Sequence, residues 1–167
     1  MKDMKKPLLE QFELDNIKLE KGGVGVKVGF TLENVIGQEH FYDKQVLVSH
    51  KIPHPDLTTK ITALKPIMLN TSGRQPDIAS MGDYSVTGVH LSGADEKGVI
   101  ITGTFKCLNE TKIAVVTPRI KLDDDYFDCE KELTDAVLEI RKEVFKYIFE
   151  DKQAQLAIEF GNDTTTK

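Results

Sequence analysis

Tryptophan is absent from this chain of 167 residues, and cysteine occurs only at Cys107 and Cys129. Neither cysteine belongs to a C-x-x-C pair or lies at metal-ligand spacing from a histidine, so a zinc ribbon and a disulfide scaffold are both excluded. Two free thiols suit a reducing compartment. No window approaches about 18 consecutive apolar residues, the length a membrane-crossing helix needs. The opening Met1-Lys2-Asp3-Met4-Lys5-Lys6-Pro7 carries charge without the apolar stretch of a signal peptide. The expected location is the cytoplasm.

Excess positive charge is lacking too. The net charge is −5, with acidic and basic residues interleaved. That argues against a general electrostatic grip on DNA or anionic lipid, while leaving room for a local basic patch that touches nucleic acid. Catalytic signatures are missing: there is no GxSxG, Walker loop or GxGxxG. Gly22-Gly23-Val24-Gly25 is glycine-rich, but it joins two strand-like runs, whereas a phosphate-binding loop leads into a helix. A hairpin turn accounts for it. The chain therefore reads as a non-enzyme that needs no cofactor.

What is present is a pattern that occurs twice. Phe12, Leu14, Ile17 and Leu19 are apolar, with a phase slip at Asp15-Asn16 that predicts a bulged strand. Val24, Val26, Val28 and Phe30 alternate strictly and predict its hairpin partner. A polar connection through Gly37-Gln38-Glu39 follows, and Val46, Val48 and Ile52 mark a third strand. Pro53-His54-Pro55-Asp56 stops that strand and opens a helix, since proline is tolerated at the first helical position and an early Asp suits the macrodipole. Leu57, Ile61, Leu64 and Met68 share one helical face, and Pro66 is expected to end or kink this helix.

Beyond a stretch rich in Thr, Ser, Gly, Pro and Asp, the pattern restarts. Tyr84, Val86, Val89 and Leu91 repeat the first strand at an offset of 72, with the slip now at Thr87-Gly88. Val99, Ile101 and Phe105 echo Val24, Val26 and Phe30 across a turn from Gly93 to Gly98 that is longer by three residues. Ile113, Val115 and Thr117 form another third strand, with Pro118 near its end. Leu133, Val137 and Ile140 match Leu57, Ile61 and Leu64 at an offset of 76, in a helix that continues through Val144, Tyr147 and Ile148. Repeats define an architecture before other signals do.

The expected fold is α+β: two tandem β-β-β-α repeats forming one antiparallel sheet with two helices on one face, related by a pseudo-twofold axis. Residues 1–167 make one domain, with repeat one at 8–69, a linker at 70–82, repeat two at 83–160 and a disordered tail at 161–167.

Three groups of residues invite a chemical reading. His50, His54 and Asp56 lie close in sequence, but the prolines between the histidines forbid the helix that would let them share zinc. His40 is too distant along the chain to join them. Asp123, Asp124, Asp125, Asp128 and Glu130 form an acidic run without the order of an EF-hand loop. It precedes a helix, where carboxylates cap free N–H groups. The third group is Gln155-Leu156-Ala157-Ile158-Glu159-Phe160. It resembles the bacterial sliding-clamp-binding motif, a Gln-Leu pair followed by alternating apolar residues. As an extended peptide it would place Leu156, Ile158 and Phe160 in apolar pockets while Gln155 bonds the rim. Its alternative is a last strand on the sheet edge, with the three apolar side chains facing the core.

His54-Pro55-Asp56-Leu57, Gly98-Val99-Ile100-Ile101-Thr102-Gly103 and the ending Gln155 to Phe160 together make the chain resemble an uncharacterised phage and prophage family encoded near replication or recombination genes. No catalytic residues come with that resemblance. The duplicated unit is also similar to the sliding-clamp, or processivity-factor, fold. Clamp helices that line DNA are rich in basic residues. Here the first helix offers Lys60 and Lys65, and the second mixes Arg141, Lys142 and Lys146 with Glu132, Asp135, Glu139 and Glu143.

The resemblances imply a non-enzymatic accessory factor of phage replication or recombination, tethered to the host sliding clamp by Gln155, Leu156, Ile158 and Phe160. Two other classes compete: a phage module that sequesters a host defence protein or signal nucleotide, and a metal-dependent nuclease built on Asp123 to Asp128.

Overall fold

The computed structural model describes residues 6–20, 24–71, 83–92, 97–122 and 130–153. Of the expected linker 70–82, Asn70 and Thr71 belong to a helix and residues 72–82 lie outside the described residues, as do the acidic run Asp123–Asp128, Cys129 and the hexapeptide Gln155–Phe160.

The bulged strand forms where the apolar pattern places it. β1 spans Phe12–Leu19, with its register shift against the next strand between Leu14 and Asn16. β4 spans Tyr84–Ser92 and shifts between Val86 and Gly88. Asp15 and Thr87 are therefore the extra residues of two bulges, and each bonds the neighbouring strand. Thr31 Oγ1 donates to Asp15 Oδ2 at 3.0 Å, and Thr87 Oγ1 donates to the Thr102 carbonyl at 3.3 Å. A bulge lets the apolar side chains on both sides of the slip face the core. Phe12, Leu14 and Ile17 are buried in β1, and Tyr84, Val86 and Val89 in β4.

β2 (Val26–Ile36) and β3 (Glu39–Ser49) form a long hairpin, turning at Gly37 with φ +68°. β5 (Gly98–Lys106) and β6 (Lys112–Val116) form a shorter one. A two-residue strand, β7 (Ile120–Lys121), pairs with the start of β5. The sheet runs β3-β2-β1-β4-β5-β6, with β7 also on β5, and every pairing is antiparallel. Thr117 bridges β6 and β7. Its hydroxyl accepts from the Ile101 N–H at 2.9 Å, and its own N–H donates to the Ile101 carbonyl at 3.0 Å.

The expected antiparallel α+β sheet is thus present, with corrections in detail. Val24 lies outside β2 and is exposed. By register, Ile17 pairs with Val28 and Val89 with Ile101, so Val26 and Val28 correspond to Val99 and Ile101, and Phe30 to Gly103. The match of Val24 to Val99 was misplaced by two residues. Equal alternation allows either phase, and pairing decides between them. At Gly103 the room that Phe30 fills is taken by Met68, whose sulfur would lie 2.6 Å from an added Cβ. In β3, Val46 and Val48 point away from the core, while Leu47 packs partly against it. In β6, Val115 is buried and Ile113 is exposed.

Helix α1 (Pro55–Thr62) opens as expected, with Pro55 at its first position and the His54 ring accepting from the Asp56 N–H at 3.2 Å. The first helix is divided, because α2 begins at Lys65 and ends at Thr71. Pro66 sits in the first turn of α2, where its missing N–H leaves no bond unmade, so it restarts the helix instead of ending it. Helix α3 (Glu130–Phe149) contacts α1 and β1, while α1 and α2 contact β4. The helices accordingly cover one face of the sheet. The other face carries Glu13, Lys18, Lys27 and His90, which are all exposed.

Leu57, Ile61, Leu64, Leu133, Val137 and Ile140 are all buried between helices and sheet, as their periodicity predicts. Leu64 and Ile140 are fully enclosed. Leu64→Ala and Ile140→Ala are each expected to lower unfolding free energy by about 2–5 kcal/mol, the range for emptying an enclosed aliphatic site. Denaturant melts with losses below about 1 kcal/mol for both would refute this packing.

Candidate protein-interaction surfaces

The histidines do not converge. His54 is committed to capping α1, and its Nδ1 lies 3.3 Å from Asp56 Oδ2. His40 Nδ1 lies 2.6 Å from Glu33 Oε1, on the distant β2–β3 hairpin. Among the described residues no three His, Cys, Asp or Glu side chains are grouped to hold a metal. Every buried side-chain polar atom among them has a hydrogen-bond partner.

Lys60, Arg141, Lys142 and Lys146 are engaged within the protein. Lys142 and Lys60 both reach Glu139, at 2.8 and 3.5 Å. Arg141 is turned toward the N-terminal end of the sheet. Its Nε donates to the Phe12 carbonyl at 2.8 Å and its Nη2 to the Leu9 carbonyl at 2.7 Å, fixing the 3-10 turn Leu9–Gln11 ahead of β1. A guanidinium used in this way is not offered to phosphate.

The end of α3 is held by a charged cluster. Glu143, with its side chain 8% exposed, receives Lys146 at 2.7 Å and Lys152 at 2.7 Å, and Lys152 also bonds Asp56 at 2.6 Å. This ties the first turn of α1 to the segment after α3. Burial pushes the Glu143 carboxyl up, but the hydrogen bonds from Lys146 and Lys152 outweigh it and hold the group below the usual glutamate range. The hydrogen bond from Lys152 lowers Asp56, and the bonds to Asp56 and Glu143 raise Lys152. The Tyr147 hydroxyl bonds Ser49 Oγ and the Lys51 carbonyl, both at 2.7 Å, and so fastens α3 to the exit of β3.

The chain leaves the helix through a left-handed residue, Asp151, at φ +55°. The Lys152 N–H returns to the Lys146 carbonyl at 3.2 Å, closing the end of α3 over six residues. Gln153 then forms an antiparallel bridge with Pro53. Gln155, Leu156, Ile158 and Phe160, the residues singled out for partner binding, follow from that surface point and lie outside the described residues.

Two exposed apolar surfaces were not anticipated. The β2–β3 hairpin runs past the last residue of β2 that pairs with β1, Leu32, so residues 33–42 pair only with one another. Val35, Ile36, Phe41 and Tyr42 on this arm are exposed. The signal was in the sequence, as two apolar pairs flanking Gly37, but the segment reads first as a polar connection. The second surface is the β5–β6 turn, where Leu108 stands fully in solvent beside Cys107 and Ile113.

A scan against protein-family models finds no match, and searches among curated proteins and solved structures likewise find none.

The cluster at Glu143 makes a signed prediction. A carboxyl held below its ordinary value of 4.5 contributes stability above that pH and loses it as pH falls through the lowered value. Glu143→Gln is expected to lower unfolding free energy at pH 7 by about 1–3 kcal/mol, the range for hydrogen bonds to charged groups. The gap from the parent should close as pH falls from 4.5 through the lowered value. Thermal melts across pH would contradict this if the gap were as wide in acid as at neutrality.

Proposed function

We propose that the chain is a non-enzymatic accessory factor of phage DNA replication or recombination that holds the bacterial host's sliding clamp through Gln155, Leu156, Ile158 and Phe160. The observation that carries this reading is the exit of the chain. The backbone turns off α3 at Asp151 and makes its last described contact at Gln153, two residues ahead of the hexapeptide, while the described core is filled by residues before it. A clamp-binding peptide is held in an extended form, so it must be free of its own domain's core. The paired and diverted cations of α1 and α3 fit a factor recruited by a protein contact better than one that encircles DNA.

Within the same reading the two halves descend from one duplicated β-β-β-α unit, a clamp-like arrangement used here without the DNA-lining charge. The matched bulges at Asp15 and Thr87 support that descent. Likeness of fold carries no function by itself, so the tether rests on the peptide. A second reading, a module that sequesters a host defence protein, is favoured by the exposed Val35, Ile36, Phe41 and Tyr42 on the hairpin arm.

Titration of purified host clamp with the full chain is expected to show micromolar binding. A Leu156→Ala, Phe160→Ala double variant should lose it with its melting temperature within about 2 °C of the parent. No binding by the parent would overturn the tether. Binding that survives the double variant but is lost in Ile36→Asp, Phe41→Asp would transfer the role to the hairpin arm.

A further inference from the structure

The strands sort their charges by face. Every lysine within them, Lys18, Lys27, Lys44, Lys106, Lys112 and Lys121, is exposed and falls on the helix-free side of its strand's alternation. The face is thus rich in cations on a chain whose net charge is −5. The strand carboxylates on the same side are Glu13, Asp15 and Glu33, and each is engaged. Lys97 reaches Glu13 at 3.3 Å, the Thr31 hydroxyl reaches Asp15 at 3.0 Å, and His40 and Tyr42 reach Glu33 at 2.6 and 3.3 Å. By contrast, no ion pair among the described residues uses Lys18, Lys27, Lys44 or Lys112.

Two like-charged pairs sharpen the imbalance. Lys18 is directly opposite Lys27 across β1 and β2, and Lys106 is directly opposite Lys112 across β5 and β6. Directly opposed residues share a face, and like charges so placed destabilise a sheet. Glu110 in the β5–β6 turn relieves Lys106 at 2.7 Å, whereas the Lys18–Lys27 pair has no carboxylate among the described residues. An anion from outside the chain would supply the missing charge.

The pairs lie on one diagonal of the sheet. Lys18 is opposite Gly88, Gly88 is opposite Thr102, and Lys106 follows Thr102 by four residues. Strand spacings of about 4.8 Å and rises of about 3.3 Å put Lys106 roughly 16 Å from Lys18. On the other side Val48 is opposite Lys27, and Lys44 precedes Val48 by four residues, roughly 14 Å from Lys27 and away from Lys106. Gly88, Thr102, Thr104 and Ser85 give the middle of the diagonal a low floor. The exposed Val46, Val48 and Tyr42 stand beside Lys44 on the same side of β3.

We propose that the helix-free face binds single-stranded nucleic acid along this diagonal, with phosphates on Lys18, Lys27, Lys44, Lys106 and Lys112 and bases against Val46, Val48 and Tyr42. A chain of regularly spaced phosphates satisfies several separated lysines at once and releases their counterions' equivalents from its own atmosphere. A single strand also brings exposed base faces to the apolar side chains and the tyrosine ring, whereas a duplex keeps its bases stacked inside. This contact goes beyond the clamp tether and stands without it.

The test is fluorescence anisotropy of the full chain with a labelled deoxyoligonucleotide of about 20 nucleotides, in the absence of clamp. A Kd of about 1–100 μM near physiological salt is expected, the range of sequence-independent binding. The slope of log K on log salt should be about −3.5, from five phosphates at about 0.7 each. Lys18→Gln, Lys27→Gln should weaken binding about tenfold and shallow the slope to about −2. Its melting temperature should not fall, because a repulsion is removed. The charge-matched Lys60→Gln, Lys142→Gln variant, on the helices, should bind like the parent. No binding by the parent at low salt, or equal loss in the two variants, would overturn the assignment. Amide shifts on titration should centre on Lys18, Lys27 and Val48, and shifts centred on α1 and α3 would overturn the face. Equal affinity for the matching duplex would overturn the choice of a single strand. Displacement by polyglutamate at equal charge concentration would give the face to an acidic polypeptide instead.

Discussion

Three residue pairs, Asn16 with His90, Ile17 with Val89 and Lys18 with Gly88, join the two halves of the sheet. The central pair links positions 72 apart in sequence, and the flanking pairs fall symmetrically around it. So short a seam tolerates little. A Cβ at Gly88 would lie 2.5 Å from the Ile17 carbonyl oxygen, which would force β1 and β4 apart where they meet. The bulges at Asp15 and Thr87 flank this point and keep Leu14, Ile17, Val86 and Val89 on the covered face. Three antiparallel pairs do not hold two hairpin sheets together unaided. The helices complete the join: α1 follows the first half yet packs on β4, and α3 follows the second yet packs on β1. Each half buries its apolar face only with the other's helix in place.

The exchange of helices also determines where function can reside. It places the ends of α1 and α3 side by side, where Asp56, Glu143, Lys146 and Lys152 neutralise one another and Tyr147 locks the exit of β3. The helical surface is consequently fixed and nearly balanced in charge, a poor fit to a polyanion. Unused binding capacity is left at the periphery: the β3 edge, the self-paired hairpin arm, the β5–β6 turn and the point where the chain departs at Gln153.

Much of this arrangement is legible in the residues. The phase slips located both bulges, the Pro-His-Pro-Asp corner located the start of α1, and the 3.6-residue spacing of Leu57, Ile61, Leu64, Leu133, Val137 and Ile140 located the core. Legibility failed where the pattern has two equal phases or too few residues. Val24, Val26, Val28 and Phe30 alternate so evenly that the partner register, visible only in three dimensions, had to choose among them. Val46 and Val48 look like core residues, but in an edge strand Leu47 is the one turned inward. Pro66 was expected to end or kink the first helix; it marks the division but sits in the first turn of α2, because proline suits the start of a new helix as well as the end of an old one. β7 is two residues long and carries no period at all.

The account stands on the claim that neither half folds without the other. Residue-resolved NMR through a urea titration tests it most directly, with Val28 reporting the first half and Ile101 the second, both buried. A single cooperative unit predicts coincident midpoints for the two. Midpoints separated well beyond error, with one half losing its native signals while the other keeps them, would contradict it.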